Sequence, residues 1–182
     1  MPTKVVLGLQ HGDEGKGRVV DDIVEFWADV VVRFQGGGNA GHTVYDREGN
    51  KHVTHILPVG ILFKQSSNHI TKRHITNIIS RGCVLNVVDL YDEIKSFDNI
   101  ELNSKDLQIS GYCPLLEPTH ILKDRMHYQG KLGTTARGIG PAYSDFYARD
   151  SILFKDLVEN PKEALINIQD KDSLLNSYLL IN

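Results

Sequence analysis

Apolar residues come first as a short run, Val5-Val6-Leu7-Gly8-Leu9, that ends at a glycine-rich turn. A run of that length without polar interruption reads as a buried strand leading into a loop. The pattern then changes: Val19, Val20, Ile23, Val24 and Trp27 recur at helical spacing with Asp21, Asp22 and Glu25 between them, which predicts an amphipathic helix. A second apolar run, residues 30–34, enters a second glycine cluster at 35–41 and repeats strand-then-loop within one βαβ-like unit. Successive parallel strands send their exit loops to the same sheet edge, so the two glycine loops are expected side by side where open α/β folds bind ligands. Residues 53–57, 75–79 and 107–110 read as further strands, and 87–97 and 161–168 as helices. The polar stretch 64–73 reads as a surface loop or insertion, and 130–141 is a third glycine-rich segment. Leu174, Leu175, Leu179 and Leu180 give 173–182 an apolar helical face without a stop signal. That face either folds back on the domain or leads into a longer protein.

Composition narrows the class. At 182 residues and 41% hydrophobic content the chain can bury a sizeable core, and its length suits one α/β domain over residues 1–182 better than two. Lys plus Arg number 20 against 23 Asp plus Glu, a formal charge of -3, so no basic excess draws nucleic acid or an anionic membrane; bound anions must be held locally. Cys83 and Cys113 lack disulfide-framework or metal-site spacing and read as reduced thiols of a cytoplasmic protein. The first ten residues hold only about six apolar ones in a run and make no secretory signal. No segment approaches the roughly 20 apolar residues of a membrane span.

Three segments carry chemistry. Gly12-Asp13-Glu14-Gly15-Lys16-Gly17-Arg18 follows the first apolar run and opens the first helix. There glycines let backbone amides turn toward phosphate oxygens, the helix N-terminus adds positive potential and Lys16 adds a full charge. The spacing is not that of a Walker A loop: six residues separate Gly8 from Gly15, and Gly17 stands where Ser or Thr would hold magnesium. Another ligand must therefore hold the metal. Asp13 and Glu14 beside phosphates call for a cation or a proton transfer, the blander alternative being acids that favour a helix start. In the second loop, Gln35-Gly36-Gly37-Gly38-Asn39-Ala40-Gly41-His42-Thr43, His42 stands apart among the eight histidines as an acid near neutral pH on the ligand edge. The other seven read as surface or packing residues, with His11 of interest only for its place beside the first loop, and their spacing makes a histidine metal site a weak alternative. The third segment, Gly133-Thr134-Thr135-Ala136-Arg137-Gly138-Ile139-Gly140-Pro141-Ala142-Tyr143, pairs hydroxyls and a guanidinium in a manner suited to phosphate. Arg149 reads locally as a surface charge.

Together QHGDEGKGR at 10–18, RFQGGGNAGHT at 33–43 and GTTARGIGPAY at 133–143 resemble the three N-terminal signatures of the adenylosuccinate synthetases, in order and at similar intervals. HILPVGIL at 55–62 and CPLLEPTH at 113–120 extend the likeness over most of the first 150 residues. The resemblance implies a P-loop-like, mostly parallel sheet with flanking helices, the N-terminal part of a larger fold. It implies GTP-dependent joining of IMP to aspartate through a 6-phosphoryl intermediate, in a cytoplasmic enzyme of purine biosynthesis. Asp13 would be the base on the purine ring nitrogen and His42 the proton donor to the phosphates. Magnesium would be held by Asp13 and the carbonyl of Gly41. The GTP phosphates would contact Gly12, Asp13, Glu14, Gly15, Lys16, Gly17, Arg18, Gly41, His42 and Thr43. IMP would lie against Asp13, Glu14, Gly15, Lys16, Asn39, Ala40, Gly41, His42 and Thr135, with Arg149 reaching in from the partner of a homodimer.

The chain departs from the family pattern at His11, where tryptophan is usual, and at Gly38, where histidine is usual. Family members are more than twice this length, and the remainder normally carries the aspartate loop and the guanine-reading motif, so the domain is expected to be incomplete at its C-terminus. Three alternatives stand beside this reading: a phage-type ligase using dGMP, disfavoured by the presence of Asp13; a non-catalytic nucleotide-binding fragment; and another P-loop-like ATPase that hydrolyses ATP without IMP.

Overall fold

The computed structural model describes residues 2–10, 12, 14–45, 49–64, 74–97, 102–128 and 135–166. Three strands, β1 (Val30–Arg33), β4 (Thr76–Ile79) and β5 (Leu107–Ile109), form a parallel sheet in the order β1-β4-β5. Register pairs Val31 with Asn77 and Val32 with Ile78, and Asn77 with Leu107. Strands β2 (His42–Tyr45) and β3 (Lys51–Thr54) make a separate antiparallel hairpin. The fold is thus α/β with a parallel sheet and flanking helices, as the resemblance implies.

Helix α1 (Lys16–Phe26) begins where glycine spacing and apolar periodicity predict it, and Val24 packs on Val31 and Ile75 of the sheet. Helix α2 (Val87–Ser96) is started by Asn86, whose side chain accepts the N–H groups of Val88 and Asp89, with Asp89 in its first turn and Lys95 in its last. The main core lies between the sheet, the 3-10 helix Val59–Lys64, α2 and α5 (Phe154–Glu159), and is built on Ile56, Leu57, Ile61, Ile79, Leu85, Leu90 and Leu157. Helices α3 (Pro118–Tyr128) and α4 (Ile139–Ala148) pack together through the buried His120 ring, 3.1 Å from Asp145 Oδ2, and through Asp124, which accepts the Gly138 N–H at 2.7 Å. Helix α6 (Pro161–Ala164) follows α5.

Several expectations are corrected. Residues 2–8 take no regular structure, and Val5, Leu7 and Leu9 are 65%, 63% and 98% exposed. An apolar run becomes a strand only with a ladder partner and covering faces, and no described strand pairs with this one. The two glycine loops therefore do not meet as exits of neighbouring parallel strands. They meet because the β2–β3 hairpin folds across the start of α1: a Cβ on Gly17 would stand 2.9 Å from the Cβ of His42. The strand expected at 53–57 lies instead at Lys51–Thr54, because the amides of 55–57 turn away to a carboxylate on α2. The helix expected at 161–168 spans Pro161–Ala164, with 167–168 outside the described residues, and α3, α4 and α5 form where the sequence pattern predicts no helix. The surface loop expected at 64–73 falls almost wholly outside the described residues, as does all of the apolar 173–182 face.

Candidate functional site

The N-terminus of α1 is prepared for an anion. Gly15 takes the left-handed conformation at the N-cap (φ 73°), and among the described residues no side chain caps the first turn, which leaves its amides open to a ligand. Lys16, the first helical residue, is engaged by Glu14 Oε2, while Glu14 Oε1 accepts the Gln10 N–H at 2.9 Å. The Lys16 ammonium beside it is the main reason that the Glu14 carboxyl falls to about 2. Glu14 is therefore ionised at every physiological pH and serves as resident counter-ion of Lys16, which answers why an acid stands in a phosphate loop. Gly12 and Arg18 are exposed, and Asp13, the expected base, lies outside the described residues, as does His11.

The second glycine loop is strapped by side chains from elsewhere. Arg33, at the end of β1, donates to the Gly37 carbonyl at 2.8 Å. The Tyr143 hydroxyl of α4 accepts the Gly36 N–H at 2.8 Å and donates to the Gly82 carbonyl at 2.6 Å. Arg137 donates to the Gly38 carbonyl at 2.6 Å. The third segment thus holds the second, a long-range arrangement that spacing alone does not reveal. Beyond the strapped glycines, Asn39, Ala40, Gly41 and Thr43 are exposed, and His42 is half-buried against Gly17. Burial holds the His42 imidazole below its ordinary pKa, and the charges of Arg33, Lys16 and His55 add to this. The neutral imidazole is thereby favoured in the ligand-free chain, with one N–H to donate.

The loop also lines a cleft of about 580 Å³, whose wall includes Asn39, His55, Asp89, Asp92, Arg125 and Arg137. Burial raises the Asp89 carboxyl, opposed by the nearby Arg137 guanidinium. The loop thus borders both the start of α1, through His42, and a cleft carrying two guanidinium groups, through Gly38 and Asn39, a layout suited to a phosphorylated ligand. Thr135 is exposed just before Ala136 and Arg137 of the cleft wall, and Thr134 is outside the described residues. Arg149 is exposed in the left-handed conformation after α4 (φ 69°), in keeping with its reading as a surface charge. Among the described residues no cluster of three or more His, Cys, Asp or Glu has metal-holding geometry, and no helix is long and apolar enough to cross a membrane.

The structure brings together Gly15, Lys16, Gly17, Gly41 and His42, all singled out in sequence. It adds Arg33, His55, Asp89, Glu93 and Tyr143, which had no assigned role. Arg33 and Tyr143 lie inside the quoted motifs and were findable there; Asp89 and Glu93 belong to an ordinary amphipathic helix and carried no local signal.

Comparison with known proteins is consistent across sequence and fold. The family model described as Adenylosuccinate synthetase matches residues 5–179. The adenylosuccinate synthetase of Helicobacter acinonychis is 42% identical over 157 residues, 86% of this chain and 35% of the relative. That of Bdellovibrio bacteriovorus is 41% identical over 183 aligned positions, 96% of this chain and 40% of the relative. The chain thus spans 35% to 40% of the length of these relatives. A fully ligated adenylosuccinate synthetase from Plasmodium falciparum superposes with a TM-score of 0.73 at 32% identity, covering 96% of this chain and 43% of that one. The succinoaminodeoxyadenylate synthetase of cyanophage S-2L, solved with dGMP and dATP, shares the fold at a TM-score of 0.62 and 20% identity, over 93% of this chain and 46% of that one.

Proposed function

Because this chain belongs to the adenylosuccinate synthetase family, we propose that it carries the phosphate-handling and acid–base part of the GTP-dependent ligation of IMP and aspartate to adenylosuccinate. The observation that supports this best is the seating of His42 against the uncapped N-terminus of α1, beside Lys16. A helix end, an ammonium and an imidazole N–H on one small surface suit a polyphosphate whose terminal group is being transferred.

In this reading Asp13 takes the proton from the purine ring nitrogen as the 6-oxygen attacks the γ-phosphorus of GTP, giving 6-phosphoryl-IMP and GDP. His42 donates its N–H to the phosphate oxygens, where negative charge builds up. Lys16 leaves Glu14 for the phosphates, and the first-turn amides orient them. The amine of aspartate then attacks carbon 6, phosphate departs, and the amine loses its proton. Asn39 and Thr135 hold IMP, and Arg149 serves the site of a second copy in a homodimer. The Asp13 carboxylate and the backbone carbonyl of the exposed Gly41 would hold magnesium, hard oxygen donors of the kind that ion takes, and the ion when bound neutralises polyphosphate charge. The enzyme is taken to work in the cytoplasm.

The test is the rise in ultraviolet absorbance from adenylosuccinate when the chain is mixed with IMP, GTP, aspartate and magnesium, run beside His42→Asn and beside dGMP in place of IMP. Product lost in the variant by roughly 10²-fold or more supports the assignment. Absence of product, together with absence of IMP and GTP binding by calorimetry, overturns it. Product with dGMP alone moves the chain to the phage-type reaction.

A further inference from the structure

Glu93 lies on α2, outside all three glycine segments, and is only 8% exposed. A carboxylate so placed is costly unless its oxygens are satisfied. They are met by three consecutive backbone N–H groups: Oε1 accepts from His55 at 2.8 Å and from Leu57 at 3.2 Å, and Oε2 accepts from Ile56 at 2.7 Å. Burial pushes the carboxyl up, and the same three N–H groups pull it back. The chain leaving β3 is thereby curled around one anion, an inverted form of the backbone nests that bind phosphate.

What these amides belong to gives the contact its consequence. The ring of His55 reaches the second glycine loop, with Nδ1 3.3 Å from the Ala40 carbonyl oxygen, and a Cβ on Gly41 would meet its Cε1 at 3.3 Å. Ile56 packs under the same loop, 3.5 Å from where a Cβ on Gly38 would stand. Two of the three residues that Glu93 holds are therefore the floor beneath Gly38, Ala40 and Gly41, the segment that carries Asn39 and leads into His42. Arg33, which feels the Glu93 charge, ties the loop from its other end at Gly37.

We propose that Glu93 is a positioning residue: by fixing the backbone of residues 55–57 it sets the height of His55 and Ile56 under the second glycine loop, and through them the placement of Asn39 and His42 toward a bound purine nucleotide. This rests on the proposed nucleotide site for its functional half and on the loop contacts alone for its structural half.

The experiment compares Glu93→Gln with Leu90→Ala, which removes a fully buried core side chain from the same helix. Glutamine keeps the shape of glutamate but turns an NH2 group toward an amide donor. Amide hydrogen exchange of residues 36–45 is measured on the ligand-free chain, and IMP affinity by calorimetry. Exchange in the loop at least tenfold faster in Glu93→Gln and unchanged in Leu90→Ala, with IMP affinity reduced about tenfold in the first alone, is the expected result, tenfold being a typical effect of losing a charged hydrogen-bond anchor. Loop exchange unmoved in Glu93→Gln, or moved equally in both variants, overturns the proposal. If the unaltered chain binds no IMP, the nucleotide reading fails while the exchange comparison still decides the role of Glu93. Should Glu93→Gln not fold, Glu93→Asp, which keeps the charge but falls one methylene short, takes its place under the same criteria.

Discussion

The imidazole of His42 stands in a field made by Arg33, Lys16 and His55, and is half out of water as well. Both effects disfavour its charged form, so its titration midpoint, followed by NMR, is expected below the ordinary 6.5. Lys16→Met should move that midpoint upward by removing one of the cations. The sign for stability follows: the folded chain binds this proton less readily than the unfolded chain, so the contribution is present above 6.5 and is lost as pH falls. Asp21 runs the other way. Burial, with Asp22 beside it, raises its carboxyl to about 6, so the native chain holds a proton there between the ordinary 3.8 and 6 that the unfolded chain has released. Stability from this group is present at low pH and is lost as pH rises through about 6. Asp21→Asn is expected to raise the melting temperature at pH 7 and to change it little at pH 4, as read by thermal scans at the two values. Lys16 and His42 were legible because glycine spacing marks them, whereas the counter-ion role of Glu14 was not, since it depends on Gln10 and Gly8 folding back over the loop.

At the scale of elements, legibility followed how locally each is determined. Helix α1, strands β1, β4 and β5, and helix α2 with its Asn86 cap all show a clear period and a clear start or stop. The Val5 to Leu9 run failed because pairing, not hydrophobicity, makes a strand. Helix α3 gives no sequence signal because its charged and apolar residues alternate without a dominant face, and its burial depends on α4 through His120, Asp124 and Gly138. The three-way strapping of the second loop belongs to this scale and includes Tyr143, whose hydroxyl joins Gly36 to Gly82. Tyr143→Phe leaves the half-buried Gly36 N–H without that acceptor and should cost about 0.5–1.5 kcal/mol in urea unfolding, the range for a typical intramolecular hydrogen bond. Gly82→Ala should cost more than Tyr143→Phe in the same measurement, because its Cβ would fall 2.2 Å from the Phe34 carbonyl oxygen, where backbone rather than a side chain must move.

At the scale of the whole molecule, the described residues bury one face of the parallel sheet more fully than the other. Val31, Asn77 and Ile79 are buried on the covered face, while Val30 and Val32 on the other are 49% and 47% exposed, with Phe34 beyond them at 43%. Parallel sheets are as a rule covered on both faces, and an exposed stripe of this kind is apolar surface available for association. The exposed Val5, Leu7 and Leu9 add further apolar surface at the N-terminal end of the chain. The isolated chain is therefore expected to bind the dye ANS while fully folded and to sediment with a concentration-dependent rate. Val32→Thr keeps a β-branched side chain but introduces a hydroxyl, so it should lower both signals and leave the melting temperature nearly unchanged, because Val32 contributes little to the buried core. The same substitution at Val31 should instead lower the melting temperature, since that side chain packs against Val24 and Ile75. The contrast between neighbouring positions on one strand separates surface association from core stability, and equal effects at the two would mean that the open face is covered in solution.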